Sequence, residues 1–265
     1  MSENGISSKQ SLRPHRTFRL SRLWRIVLLV LLAIIVVGVV AAAVWLQPYP
    51  ASSDAVAALR GTADVTVTQN SDMIAFIPRN QASIGLIFYP GAKVDPVAYS
   101  VLMEQIAEKG YDTFIAKMPL NIAFLNENAA NAIISAYPNI HEWTIGGHSL
   151  GGVAACDYAA AHKNIKGVLL YAAYPSKDIS HDTGQDFTSI YGTQDGLATP
   201  AKVNANKKLL PPTTIYLPIQ GGIHSYFGNY GHQDGDGQAT VSRQQAQSEI
   251  VADSVSFLQH VAVVN

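Results

Sequence analysis

Cysteine is almost absent from this sequence, with one residue, Cys156, in a chain of 265. A lone thiol excludes a disulfide framework and any cysteine-clustered zinc or iron–sulfur site. Charge is also scarce, at 14% Asp, Glu, Lys and Arg against 48% hydrophobic residues. A disordered chain shows the opposite balance, so the bulk of this one must bury a core. Its length suits one large domain or two small ones. Basic residues thin out beyond the N-terminus. Residues 1–25 carry Lys9, Arg13, Arg16, Arg19, Arg22 and Arg25 against one acid, Glu3, for a net +5, and the rest of the chain balances at −6. A mildly acidic body without a basic face excludes nucleic acid as a partner.

What the chain does have, directly after that basic stretch, is a run of 21 residues without a charge, Ile26–Leu46. A helix of that length spans about 30 Å, the thickness of a bilayer's hydrocarbon core. No polar face interrupts the run, and Trp24 and Trp45 stand at its two ends, where interfacial aromatics are favoured. Six basic residues precede it and none follows until Arg60. The positive-inside bias therefore gives a basic cytoplasmic tail over 1–25, a single-pass signal anchor over 26–46, a Pro-broken linker over 47–53 and an exported domain over 54–265. Ala41-Ala42-Ala43 offers the competing reading, a cleaved signal peptide and a secreted product.

From residue 54 onward no composition break, repeat or low-complexity tract appears. Ser53-Asp54 suits the cap of a short helix ended by Gly61. Val65–Thr68 and Met73–Ile77 flank Gln69-Asn70-Ser71-Asp72, an antiparallel hairpin pattern. Apolar strands then alternate with helices: strand 84–89, helix 96–109, strand 113–117, helix 127–136, strand 143–146, helix 150–162, strands 167–173 and 187–192, helix 201–209 and strand 213–218. A last helix starts from the capping box Ser242/Gln245. Strands too apolar to have a wet face, spaced as βαβ units, predict an α/β domain. Its mostly parallel central sheet begins with an antiparallel hairpin and carries helices on both faces. Ligands of such sheets bind at the carboxyl ends of the strands.

At one such end, strand 143–146 runs into Gly147-His148-Ser149-Leu150-Gly151-Gly152, and an alanine-rich helix follows. Gly-x-Ser-x-Gly between strand and helix makes a turn so tight that only glycine fits two positions either side of the serine. The turn lifts the hydroxyl clear of the sheet at the positive end of a helix. This stretch resembles the nucleophile elbow of the α/β-hydrolase superfamily, and the resemblance extends over residues 64–265. It implies the catalytic order Ser, Asp/Glu, His, with acid and base each on a loop after a later strand. Thr193-Gln194-Asp195-Gly196 after strand 187–192 matches the acid loop, and Gln220-Gly-Gly-Ile-His224 after strand 213–218 matches the base. Asp178 and Asp182 are rival acids, and His232 is a rival base. His148 is expected as a spacer facing away from the site. The resemblance further implies an oxyanion hole from the backbone N–H of Leu150 and one from Pro90-Gly91-Ala92, with Ala92 first and Lys93 second. FYPGAKVDPVAYSVLMEQIAEKGYD and GGIHSYFGNYGHQDGDGQATVSRQQ resemble a compact, anchored bacterial subgroup related to dienelactone hydrolases and small carboxylesterases. Serine in place of the cysteine nucleophile argues against dienelactone hydrolase activity itself.

Only Ala173 to Asp186 separates the strand after the elbow helix from the acid's strand, too short for a lid domain. The expected site is shallow and uncapped, roofed at most by residues 119–127 and by Tyr226, Phe227 and Tyr230. Asp234-Gly-Asp236-Gly lacks the ligand spacing of a calcium loop and reads as a solvated glycine loop. Cys156 reads as buried packing. The sequence thus predicts a metal-free, cofactor-free serine hydrolase outside the membrane, cleaving small or short-acyl carboxylic esters. An acyltransferase using the same acyl-enzyme, or a silent binding module on the fold, are the alternatives. Oligomeric state stays open.

Overall fold

Eight strands join in one sheet in the computed structural model, which describes residues 21–80, 84–182 and 184–264. They are β1 (Val65–Gln69), β2 (Met73–Pro78), β3 (Ile84–Tyr89), β4 (Asp112–Ala116), β5 (Glu142–His148), β6 (Ile165–Tyr171), β7 (Asp186–Gly192) and β8 (Ile215–Ile219). The order across the sheet is β1-β2-β4-β3-β5-β6-β7-β8. Strand β2 runs antiparallel to both β1 and β4, and every other pairing is parallel. The hairpin closes because Asn70 Oδ1 accepts from the N–H groups of Asp72 (2.8 Å) and Met73 (2.9 Å), a local bond that stands in for ladder pairing.

Strand alternation divides the core between the two faces of the sheet. In β3 every residue is buried. Leu86 and Phe88 point to one face, where α3 (Ser100–Ala107) and α7 (Arg243–Val264) supply Leu102, Ile106, Ile250 and Leu258. Ile87 and Tyr89 point to the other, against Ile133 of α4 (Ala130–Ala136) and Ala154, Ala155 and Tyr158 of α5 (Leu150–Ala161). Each fully buried side chain of this size contributes roughly 1.5–3 kcal/mol. A central strand that is apolar on both sides is stable only with both faces covered.

Local signals set the element ends, sometimes one residue away from expectation. Ser52, not Ser53 or Asp54, caps α2 (Ser53–Ala58), its Oγ accepting from Ala55 N–H. The helix expected over 96–109 opens as a 3₁₀ turn, Pro96–Tyr99, capped by Asp95, and the chain leaves it through Gly110 at φ +99°. Ser242 and Gln245 form the capping box of α7, bonding each other's backbone N–H groups. A short helix α6 (Pro200–Asn206), capped by Thr199, follows β7. Residues 47–53 are not a free tether. Tyr49 pairs with Val94 and Ala51 with Tyr230, so the stretch belongs to the compact unit Gln47–Asn265.

Helix α1 (Arg22–Trp45) belongs to the other unit, which ends at Leu46. Its 24 residues make a rod of about 36 Å. It is long and apolar enough to cross a membrane, a test that a signal sequence also passes. Glu3, Lys9, Arg13, Arg16 and Arg19 lie outside the described residues.

Candidate active site

The turn from β5 into α5 carries Ser149 at φ +52°, ψ −121°, a backbone state that a residue with a side chain adopts only at a cost of about 1–3 kcal/mol. Three features hold it there. Ser149 N–H donates to the Tyr171 carbonyl of β6 (2.9 Å). A Cβ on Gly147 would lie 2.5 Å from the Gly151 backbone. A Cβ on Gly151 would collide with the carbonyl oxygens of Tyr89 and Pro90. The two glycines therefore let the elbow close on itself and on the loop after β3.

Strands β7 and β8 end beside it, and the loops that follow bring Asp195 and His224 together. Both residues are buried, and His224 Nδ1 donates to Asp195 Oδ2 at 2.8 Å. The other carboxylate oxygen accepts from Leu197 and Ala198 N–H, each at 2.7 Å. Asp195 is thus at once the turn former suggested by its Asp-Gly sequence and the partner of the imidazole. With its proton on Nδ1, His224 keeps Nε2 as a lone pair, and that atom is buried without a partner among the described residues. The rivals stand elsewhere. Asp182 pairs with Lys163 (2.6 Å), the exposed Asp178 is held below the usual carboxylate range by hydrogen bonds from Ser180, and His232 is exposed.

His148 does not line the cleft, as expected of a spacer, but it packs against His224 from behind, with ring centroids 4.4 Å apart. It is fully buried, and desolvation, with His224 close by, lowers its pKa well below the ordinary histidine value, so the ring is neutral. Its Nδ1 shares a hydrogen bond with the Tyr99 hydroxyl (2.9 Å), which also accepts from Gly91 N–H (2.8 Å). The elbow is thereby tied to the loop after β3.

That loop has three N–H groups of interest. Gly91's goes to Tyr99, and Lys93's goes to the Asn121 carbonyl (2.8 Å) with Lys93 at φ +60°. Ala92's makes no hydrogen bond among the described residues, nor does that of Leu150 at the start of α5. Lys93 is thereby spent as an alternative donor.

Ser149 and His224 line one cleft of about 210 Å³ whose other walls include Leu150, Val153, Ala172, Tyr174 and Leu197. Ligand pockets usually measure roughly 300–1,000 Å³, so this cleft is a small one. Of the two roles open to Tyr226, Phe227 and Tyr230, roof or packing, the structure favours packing. Phe227 and Tyr230 are buried around His148, and Tyr226 lies under the Arg243 guanidinium. The expected solvated loop at 234–237 is also different, because Asp236 Oδ1 and Oδ2 accept from His224 and Ser225 N–H. Among the described residues no cluster of three or more His, Cys, Asp or Glu is placed to hold a metal. Cys156 is buried and its thiol is pushed up by desolvation, so it stays protonated and packs.

Against known proteins, a model of the alpha/beta hydrolase family matches residues 85–248. No curated protein matches the chain in sequence. Solved structures share the fold at low identity. Est1E from Butyrivibrio proteoclasticus superposes with a TM-score of 0.52 at 13% identity, covering 76% of this chain and 100% of its own. Carboxyl esterase 2 from Tuber melanosporum gives 0.57 at 10% identity, over 80% of this chain and 90% of its own. A predicted CIB-like hydrolase from Thermoplasma acidophilum gives 0.51 at 14%, over 74% and 99%. The match is to the superfamily and does not reach the finer subgroup.

Proposed function

The chain belongs to the alpha/beta hydrolase family, and from that membership we propose that it hydrolyses small carboxylic esters through an acyl-enzyme on Ser149. One observation carries the reading. His224 is buried on Asp195 through Nδ1, with Nε2 unspent, in the cleft that Ser149 also lines. A serine hydroxyl is barely nucleophilic at neutral pH, and an adjacent imidazole held in one tautomer by a carboxylate removes that obstacle. Ser149 Oγ attacks the ester carbonyl while His224 Nε2 takes its proton. The negative oxygen of the tetrahedral adduct is held by the N–H groups of Leu150 and Ala92, both without a hydrogen-bond partner among the described residues. Collapse expels the alcohol, which receives the proton back from His224. Water, activated in the same way, then releases the acid and frees Ser149.

That a structure sharing the fold is a carboxyl esterase supports a carboxylic ester as the substrate here. The volume and the apolar walls of the cleft favour a short acyl group. Nothing in the mechanism needs a metal or an organic cofactor. We place the enzyme outside the cytoplasmic membrane, with α1 as a signal anchor.

The test is a variant series on acyl esters from C2 to C16. Ser149→Ala and His224→Ala should each lower kcat by roughly 10⁵–10⁶, and Asp195→Asn by roughly 10⁴. The losses should not add, because the three side chains act as one unit. kcat/KM should peak among the shortest chains without a jump where substrate aggregates. Asp195→Asn at full activity, or an optimum at C12 or beyond, overturns the acid assignment or the substrate class respectively.

A further inference from the structure

Asp195 and His224 stand on different irregular loops, yet their hydrogen bond requires a fixed spacing between those loops. The stretch Asp234-Gly235-Asp236-Gly237 touches both. Asp236 Oδ1 accepts from His224 N–H (2.9 Å) and from Gly237 N–H (2.7 Å), and Oδ2 accepts from Ser225 N–H (2.8 Å). One carboxylate thus caps the turn His224–Phe227 that carries the base. The glycines beside it lie flat on the acid's loop. A Cβ on Gly196 would strike the Gly235 carbonyl and come within 2.7 Å of Gly237 N, and a Cβ on Gly237 would strike the Gln194 carbonyl. Gln194 N–H in turn donates to the Gly222 carbonyl (2.9 Å), just ahead of the base. From the other side, Arg243 of α7 donates to the carbonyls of Ser225 (2.6 Å), Tyr230 (2.9 Å) and Gly228. The base's turn is therefore held by its N–H groups on Asp236 and by carbonyls on Arg243.

We propose that Asp236 is a positioning residue for the Asp195–His224 pair, with Gly235 and Gly237 as the close-packed bearing against the acid loop. This rests on the assignment of Ser149, Asp195 and His224 made above. A carboxylate suits the place because three N–H donors converge there and an ionised carboxylate offers acceptors only. Asparagine is nearly the same size but turns an NH₂ toward one of those donors, leaving it unsatisfied.

Asp236→Asn and Asp236→Ala in the full-length protein test this, with kcat normalised to the folded fraction. A shift of about 1 Å in a catalytic group costs on the order of 10²-fold in rate. The expected result is kcat down by about that factor, KM within about twofold, and the low-field proton resonance of His224 Nδ1 broadened or lost through exchange with water. Either variant at wild-type kcat with an intact resonance overturns the proposal. So does a loss explained wholly by unfolding, with kcat per folded molecule unchanged. Should wild-type activity prove independent of Ser149, the triad assignment fails, and the imidazole resonance still decides the role of Asp236.

Discussion

At the scale of residues, two buried imidazoles lie ring against ring, and their environments divide the labour between them. His224 has a carboxylate partner on Nδ1, whereas His148 has a phenol and no charge to pair with. Burial therefore holds His148 neutral, and this sets a sign for stability against pH. Below roughly pH 6.5 an unfolded chain takes up a proton at His148 that the folded chain refuses. Stability from this group is fully present above that pH and is lost as pH falls, at up to about 1.4 kcal/mol per pH unit. Asp112 works the other way. Desolvation raises its carboxyl to about 6, so between its ordinary value and that pH the folded state holds the extra proton and stability falls as pH rises. The comparison of wild type with His148→Asn cancels that second contribution. The variant should be less stable at pH 8, and the gap should narrow from pH 6.5 to 5 in urea titrations. A constant gap across that range contradicts a neutral His148.

At the scale of elements, the elbow is the junction most sensitive to a single methyl group. Gly151→Ala places a Cβ against the carbonyls of Tyr89 and Pro90, so either α5 or the loop that carries Ala92 must move. Overpacking of this kind costs about 1–3 kcal/mol. A shifted Ala92 would also leave the position proposed for it as an oxyanion donor, so kcat should fall together with the urea midpoint. Gly184→Ala, with nothing near its Cβ, should stay within about 0.5 kcal/mol of wild type. Equal behaviour of the two variants contradicts the packing argument. The elbow was legible in the sequence because a strand–turn–helix pattern brackets five residues of fixed chemistry. The contact between Asp195 and His224 was legible for a similar reason, since each stands on the loop that follows an apolar strand, in the order that the family resemblance implies. Strand β3 matched its expected bounds because apolar residues run unbroken to Pro90. Other roles left no local trace. Asp236 binds backbone N–H groups 11 and 12 residues away, and His148 meets a tyrosine 49 residues away. Neither contact depends on a side-chain pattern along the chain. Ala172, Tyr174 and Leu197 line the cleft through their positions at strand ends, and their residue types carry no signature of that role.

At the scale of the whole molecule, the chain combines an apolar helix with a hydrolase unit. The proposal that α1 anchors an exported enzyme has a direct check in intact cells. Added protease should digest the unit Gln47–Asn265 and spare a tag at residue 1, as the basic leader and the positive-inside bias require. Loss of the tag overturns the orientation, and a mature protein beginning near Val44 overturns the anchor while leaving export in place. The proposed function requires one serine in this molecule to be activated by one imidazole. The most direct measurement is reaction of the full-length protein with a fluorophosphonate, followed by peptide mapping of the adduct. A single adduct on Ser149, absent from Ser149→Ala and formed at least about a thousandfold more slowly in His224→Ala, is the result expected of an activated triad serine. An adduct on any other residue, or a folded wild-type protein that does not react at all, would contradict it.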